Sequence, residues 1–310
     1  MTPMSRLVVV GGNGFIGSAI CRSALAHGLQ VTSVSSSGRP YQTPKGHTPA
    51  WVAKVDWQQG DALRPETLAR HLDGAAAVVH TLGILLEDAA YKRAVRDGDA
   101  PALLRALVGT ARNPLAAAQG PTYEAMNRDS ALRVCEAFTA SAPPADAPAS
   151  ARPFVFLSAA DVFRPWIPAR YVETKRAAER GLAALLDADP ARFRGVYLRP
   201  GLVYHAHQRP LTTPAAALLD LSAGIHARLP DAVHAPLRAA LARLPRVSRE
   251  TPSPVVSIAN ALATPPMHVD HVGAAAVQAC LDPEMRGAFE VREMREAIGW
   301  RETELETSAL

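Results

Sequence analysis

Leu7-Val8-Val9-Val10 is a short uninterrupted apolar run that stops at Gly11-Gly12-Asn13-Gly14-Phe15-Ile16-Gly17. Ile16, Ile20 and Ala24 then recur at helical spacing as far as Gly28. This predicts strand, glycine turn and helix in that order. A second strand over 29–35 would close a βαβ unit, and further strands are expected over 55–58 and 76–81. Strands that alternate with helices imply an α/β chain with a parallel, doubly wound sheet.

Periodicity is poor over 84–121, where Gly, Pro, Asp and Arg are mixed, so an insertion of short helices and loop is expected there. A helical face resumes at Tyr123 with Met126, Leu132, Cys135 and Phe138. Four prolines within the thirteen residues 141–153 predict an exposed connection. The next buried strand falls at 154–157, a helix at 171–188 and a strand at 195–198. From Leu211 the pattern changes to Ala/Leu/Arg/Pro helices, expected to form a small, mainly helical C-terminal lobe. The expected division is a nucleotide-binding domain over 1–205, a lobe over 206–266, and a return segment over 267–310 that packs on both.

Composition narrows the class. The chain is 48% hydrophobic and 20% charged, a globular balance. No stretch reaches the roughly 18 to 20 apolar residues of a membrane span. A net charge of +4 is too small and scattered for a nucleic-acid protein. Cys21, Cys135 and Cys280 lack any C-x-x-C spacing and read as small buried hydrophobes, not as a disulfide framework or zinc site. Residues 1–6 are too short for a targeting segment ahead of the first strand.

The glycine turn is the strongest chemical signal. Gly11-x-x-Gly14-x-x-Gly17 follows a strand and opens a helix, so its backbone can approach a pyrophosphate whose charge then sits at the positive end of the helix dipole. An NAD site would place an acid about 20 residues on, to hold the ribose 2′-hydroxyl. No acidic residue occurs from Gly17 to Val55; the second strand ends in Ser35-Ser36-Ser37-Gly38-Arg39. Hydroxyls and a guanidinium favour a 2′-phosphate, hence NADP(H), although Arg39 also fits a plain solvated loop.

Gly60-Asp61, His80-Thr81-Leu82-Gly83, Tyr171-x-x-x-Lys175, Leu198-Arg199-Pro200-Gly201-x-Val203-Tyr204 and His268-Val269-Asp270-His271-Val272 occur in one order. With the glycine turn they resemble the extended and atypical short-chain dehydrogenase/reductases, the epimerase/dehydratase branch, over nearly the whole chain. Residues 11–37, 80–92, Asn113-Pro114-Leu115 and Thr122-Tyr123-Glu124-x-x-Asn127 resemble the fungal mitochondrial member involved in coenzyme Q biosynthesis. The NADPH-binding accessory subunit of respiratory complex I is a more distant resemblance.

The resemblance implies a Rossmann-type fold binding NADP(H) through Gly11, Asn13, Gly14, Phe15, Ile16, Gly17, Ser36, Ser37 and Arg39. It adds Asp61, Ala62, Thr81, Leu82, Gly83, Asn127, Lys175, Pro200 and Val203. It implies that Tyr171 exchanges a proton while Lys175 holds the nicotinamide ribose and lowers the tyrosine pKa. Ser158 is the nearest candidate for the third catalytic hydroxyl, but Ala159 stands where that hydroxyl should be. Ser158, one residue early, would point elsewhere on a strand. The implied role is an oxidoreductase of coenzyme Q biosynthesis acting on a polyprenylated quinone precursor, at the matrix face of the inner mitochondrial membrane. Two other readings stay open. One is a non-catalytic, nucleotide-stabilised assembly or regulatory subunit of a coenzyme Q complex; the other is a soluble reductase or epimerase of a small substrate.

His268, Asp270 and His271 have spacing unsuited to one metal ion, and no metal is expected. Asp270 is expected to cap a helix running to Ala279. His205 and His207 either line a substrate cleft or lie on the surface. Across 228–250, five arginines against Asp231 and Glu250 give +3 with leucines between them. That segment reads either as a face for anionic lipid or as a lobe helix with a basic solvated side.

Overall fold

The computed structural model describes residues 6–85, 122–145, 150–164, 167–208, 212–228 and 253–300. Its central strands are β1 (Arg6–Val10), β2 (Gln30–Ser35), β3 (Val55–Gln59), β4 (Ala77–His80), β5 (Arg152–Leu157), β6 (Phe193–Leu198) and, near the end of the chain, β9 (Gly287–Phe289). They pair in the order β3-β2-β1-β4-β5-β6-β9, each pair parallel. The chain winds outward from β1 to β3, returns, and winds outward the other way from β4. The order therefore reverses between β1 and β4, the point at which such sheets open a crevice at the carboxyl ends of their strands. This is the doubly wound parallel sheet anticipated from the alternating elements, and the Rossmann-type fold that the resemblance implies.

Period-two alternation divides the core between the two faces. Leu7, Val9, Val79, Val155, Leu157, Val196 and Leu198 face one side. Against them lie α1 (Phe15–Ala26) and α7 (Val269–Leu281). Those two helices approach closely because small residues line the contact: a Cβ on Gly273 would lie 2.8 Å from the Ala19 backbone. Val8, Val10, Val78, Phe154 and Phe156 face the other side. They pack on α3 (Ser130–Ala140) and α4 (Ala169–Leu186) through Val134, Phe138, Ala178 and Leu182.

The short helix α2 (Ala69–Leu72) links β3 to β4. After β6 the chain forms β7 (Val203–Tyr204), then α5 (Thr212–Arg228) and α6 (Pro254–Ala263), which pack on each other. It returns through β8 (Met267–His268), parallel to β7, into α7. The terminal α8 (Val291–Ala297) follows β9.

Three local expectations are corrected. The connection over 141–153 is not exposed throughout: Ser141, Ala151 and Arg152 are buried. Arg152 donates to Ala75 O (3.1 and 2.9 Å) and Ser141 Oγ (3.0 Å), with its guanidinium 4.2 Å above the Phe138 ring. Pro153 enters β5 because pairing with β4 begins only at Phe154, which leaves the missing N–H at the strand end. The helical face expected from Tyr123 starts with a wider, π-type turn over Glu124–Asp129 before the α-helix at Ser130. The cap of α7 is His268, whose Nδ1 accepts from Asp270 N at 3.3 Å, while Asp270 sits in the first turn and pairs with Arg22 of α1. Most of the insertion over 84–121 lies outside the described residues, as does most of 228–250. Cys21 and Cys135 are buried free thiols, whereas Cys280 is partly exposed.

Candidate functional site

At the end of β1 the chain must turn within a few residues to start α1, and three glycines make this sterically possible. Gly11 has φ +90°, a region disfavoured by side chains. A Cβ there would stand 2.5 Å from Thr81 Oγ1 and 2.8 Å from Leu82 Cδ2. A Cβ on Gly17 would strike the Gly11 carbonyl. Gly14 N donates to Gly11 O at 3.0 Å and Gly14 occupies the N-cap of α1, which has no side-chain cap and no acid in its first turn. The positive end of α1 is thus left to an anion, beside a backbone cradle that side chains would fill. Phe15 and Ile16 pack their side chains against the first core face, so their contribution to such a site would come from their backbone.

Beside this turn lies the loop after β2. Asn13 Nδ2 donates to Ser37 Oγ (3.4 Å) and Arg39 O (3.3 Å), tying the glycine turn to the Ser36-Ser37-Gly38-Arg39 loop. Gln59 Nε2 donates to Ser36 O at 3.0 Å, and Gly38 turns at φ +63°. Ser36, Ser37 and Arg39 are exposed. Asp61 follows β3, where its Oδ1 accepts from Leu63 N at 2.9 Å, and Ala62 is buried in the second core face.

The ends of β4 and β5 close the other side of the crevice. Thr81 Oγ1 donates to Val10 O at 2.9 Å, joining β4 to β1. Gly83 is the next close approach: a Cβ would meet Lys175 Nζ at 2.8 Å and Asn127 Oδ1 at 2.9 Å. Asn127 is wholly buried; its Oδ1 accepts from Ile84 N (2.8 Å) and its Nδ2 donates to Ile84 O (3.2 Å). It therefore fixes the strand-to-loop exit as a peptide partner would. The sequence match flagged Asn127, but its clamp on Ile84 depends on a contact across 43 residues that no local pattern displays.

Lys175 Nζ donates to Leu157 O (2.8 Å) and Leu82 O (3.2 Å) and lies 4.6 Å from the Phe156 ring centroid. Burial lowers its pKa to about 7, with the Glu179 charge one helical turn on opposing the shift. The neighbouring His80 is also buried, contacts Ser130 Oγ at 3.2 Å, and is lowered to about 3 by burial and by Lys175. Tyr171, one turn before Lys175, is partly exposed and stands edge-on to Tyr123 at 6.4 Å between ring centroids. Tyr123 OH in turn donates to Leu85 O at 2.9 Å.

Ser158 is engaged elsewhere: its hydroxyl donates to the buried carboxylate of Glu179. Arg176 Nη1 donates to both Ser158 Oγ (3.1 Å) and Glu179 Oε1 (2.7 Å), while Arg199 bonds Glu179 and reaches Glu290 at 2.8 Å. Glu179 lies eight residues beyond Tyr171, roughly 12 Å along the helix axis. Ala159, buried, supplies no hydroxyl. The sequence reading missed this network, whose local signal is the i, i+3 spacing of Arg176 and Glu179. Pro200 O accepts from Ala160 N at 2.9 Å, and Val203 is held in β7 against Met267, so both brace the crevice wall.

His205, His207, His268 and His271 form one ring cluster with Tyr204 and Trp300, spacings being 5.0 to 6.0 Å. His205 Nδ1 accepts from His207 N at 3.1 Å and Gln208 N at 3.2 Å. Among the described residues no group of three or more His, Cys, Asp or Glu could hold a metal ion.

The sequence model of the NAD dependent epimerase/dehydratase family matches residues 7–235. The chain is similar to MIOREX complex component 2 of Saccharomyces cerevisiae, 34% identical over 211 residues that cover 66% of this chain and 74% of the relative. It is 28% identical over 297 residues to an uncharacterized chloroplastic protein of Arabidopsis thaliana, covering 94% and 77%. Among solved structures it resembles 3-oxoacyl-(acyl-carrier protein) reductase from Brucella melitensis in complex with NAD, with TM-score 0.56 and 15% identity over 96% of this chain and 99% of the other. A putative epimerase from Burkholderia cenocepacia aligns with TM-score 0.52 and 16% identity, covering 97% and 83%. At these identities the structural likeness concerns the fold.

Proposed function

The chain belongs to the NAD dependent epimerase/dehydratase family, and on that premise we propose that it binds NADP(H) and reduces or oxidises a polyprenylated quinone precursor in coenzyme Q biosynthesis. The observation that carries the nucleotide reading is the glycine turn at the β1/β4 reversal, where a Cβ on Gly17 would strike Gly11 O and no side chain caps α1. Ser36, Ser37 and Arg39, tied to that turn by Asn13, favour the 2′-phosphate over a bare ribose hydroxyl. When bound, NADP(H) would donate a hydride in the reduction or accept one in the oxidation. Tyr171 then moves the proton at the substrate oxygen, and Lys175, positioned between the ends of β4 and β5, orients the ribose. The proposed location is the matrix face of the inner mitochondrial membrane, where such a lipid resides.

One observation favours a second reading. Ser158 gives its hydroxyl to Glu179 and Ala159 has none, so a tyrosine would act without the customary hydroxyl partner. Under this reading the nucleotide is structural and the protein is an assembly or regulatory subunit; the yeast relative is itself named as a component of a complex. Mass spectrometry of the nucleotide bound to purified protein, repeated after incubation with quinone-precursor lipids, separates the two. Oxidation of bound NADPH coupled to lipid reduction supports the enzyme; a nucleotide that stays unchanged with every precursor supports the subunit.

A further inference from the structure

We propose that the histidine cluster at the root of the C-terminal lobe is a proton-sensitive latch, which holds both chain crossings of the lobe while His205 and His268 are neutral and frees them on acidification. The inference goes beyond the reaction and does not depend on it. The chain leaves the sheet for α5 through β7 and comes back from α6 through β8, and these two short strands pair with each other. Each crossing ends in a histidine that serves as a backbone acceptor. His205 Nδ1 accepts from His207 N (3.1 Å) and Gln208 N (3.2 Å), which fixes the turn leading out to the lobe. His268 Nδ1 accepts from Asp270 N at 3.3 Å and so caps α7, the helix leading back. A peptide N–H can only donate, so both Nδ1 atoms must be unprotonated for these bonds to exist. A proton on either would set N–H against N–H.

The surroundings turn this local conflict into a switch. The His268 ring lies 5.1 Å from His205 and 6.0 Å from His271 between centroids, and His207 lies 5.9 Å from His205. Imidazoles this close repel one another once charged. Arg22 of α1 adds positive charge beside His205, and Arg295 of α8 beside His271. The acid facing both histidines is Asp270, already paired with Arg22, while Asp220 of α5 lies 3.4 Å from Arg295. Burial first, and then the His268 charge, lowers the pKa of His205 and of His271. His271 Nδ1 is buried without a hydrogen-bond partner, and its ring packs on Trp300 at 5.0 Å. A closed latch therefore binds fewer protons than an opened one, whose histidines titrate near the ordinary value of about 6.5, and falling pH favours opening. Asp270 opposes that shift but also supplies the second state. Its Oδ2 lies 3.7 Å from His268 Nδ1, so a protonated His268 exchanges the Asp270 N–H for the Asp270 carboxylate and competes for it with Arg22.

Hydrogen exchange of the full chain at about pH 7.5 and about pH 5.5, corrected for the intrinsic pH dependence of exchange, tests the proposal. Protection of the His207, Gln208 and Asp270 amides should fall at least about tenfold at the lower pH, while Val8 and Val79 in β1 and β4 stay protected. His205→Asn with His268→Asn should abolish the fall. An asparagine side chain still accepts from amides two or three residues on, and it does not titrate. His47→Asn, at an exposed position, should respond to pH as the parent does. Thermal unfolding near neutral pH checks that the double variant is folded. If it is not, His205→Asn alone replaces it, with the His207 and Gln208 amides as the readout. Three results overturn the proposal: amides that keep their protection at the lower pH in the unmodified chain, an asparagine variant that opens as the parent does, or sheet amides that lose protection together with the latch, which is acid unfolding.

Discussion

Ser158 donates its hydroxyl to Glu179, and that bond removes from the crevice the one serine that the strand β5 exit could have offered. Glu179 is also the partner of Arg176 and Arg199, so the serine belongs to a buried ionic network. Ser158→Ala should cost about 1–3 kcal/mol in a urea titration, since a buried carboxylate loses a donor. NADPH affinity and any turnover should stay within about twofold. A fall in turnover near a hundredfold without loss of stability would return Ser158 to the catalytic machinery.

Gly17 and Gly28 separate two costs of adding a methyl group. At Gly28, φ is +74° and nothing lies within 4 Å of a Cβ, so Gly28→Ala should cost roughly 1–2 kcal/mol of backbone strain. Gly17→Ala should destabilise by a similar amount, about 1–3 kcal/mol, because its Cβ is driven onto the Gly11 carbonyl. Nucleotide titration distinguishes them. Binding should survive Gly28→Ala and be lost with Gly17→Ala, whose displaced turn is the proposed pyrophosphate cradle.

Arg39 is exposed on the loop that Asn13 ties to the glycine turn. Calorimetric titration should show NADPH binding at least about tenfold tighter than NADH, equivalent to about 1.4 kcal/mol. Arg39→Ala should remove most of that preference while leaving NADH affinity nearly unchanged. Equal affinities in the unmodified protein would contradict the NADP(H) assignment.

The reversal point of the sheet was legible because β1 and its glycines announce themselves over a dozen consecutive residues. Every central strand except β9 could be located to within a few residues, β1, β4 and β5 as short apolar runs and the others from their place in the alternation of strands and helices. Strand β9, three residues long with a partly exposed pattern, carries no such signal and is held by pairing with β6. Likewise, Arg152 looked like loop among prolines, yet its guanidinium is buried between Phe138, Ala75 and Ser141. The functional residues divide in the same way. Tyr171 and Lys175 declare a spacing, whereas the capture of Ser158 by Glu179 and the hold of Asn127 on Ile84 arise only when distant segments meet. Helical periodicity could not foresee the π-type turn that aims Asn127 inward, since one extra residue per turn leaves no compositional mark.

Lys175 makes stability depend on pH in a defined window. Its pKa in the folded protein is about 7 instead of 10.5. Between those values the unfolded chain holds a proton that the folded chain has released. Stability attributable to this group therefore rises with pH across the window, by at most about 1.4 kcal/mol per pH unit, and the burial penalty is complete below it. Lys175→Met should flatten the slope of unfolding free energy between roughly pH 7 and 10. It should also weaken NADPH binding if the ammonium orients the ribose. An unchanged pH slope would mean that Lys175 is not the group titrating there.

Tyr171 decides whether there is chemistry. Its ring stands against Tyr123, so Tyr171→Phe keeps that contact and deletes only the hydroxyl. If the hydroxyl moves the proton at the substrate oxygen, turnover should fall by about a hundredfold or more while NADPH affinity survives. Coenzyme Q in cells carrying the variant should fall with it, at unchanged protein level. The subunit reading predicts the reverse pair of results. Tyr171→Phe would leave coenzyme Q unaltered, whereas Gly14→Asp, which sets a carboxylate at the N-cap of α1 where the pyrophosphate should lie, would empty the site and lower both protein and product. Measured side by side, full coenzyme Q with Tyr171→Phe and loss with Gly14→Asp would defeat the proton-transfer role and leave the nucleotide as a structural ligand.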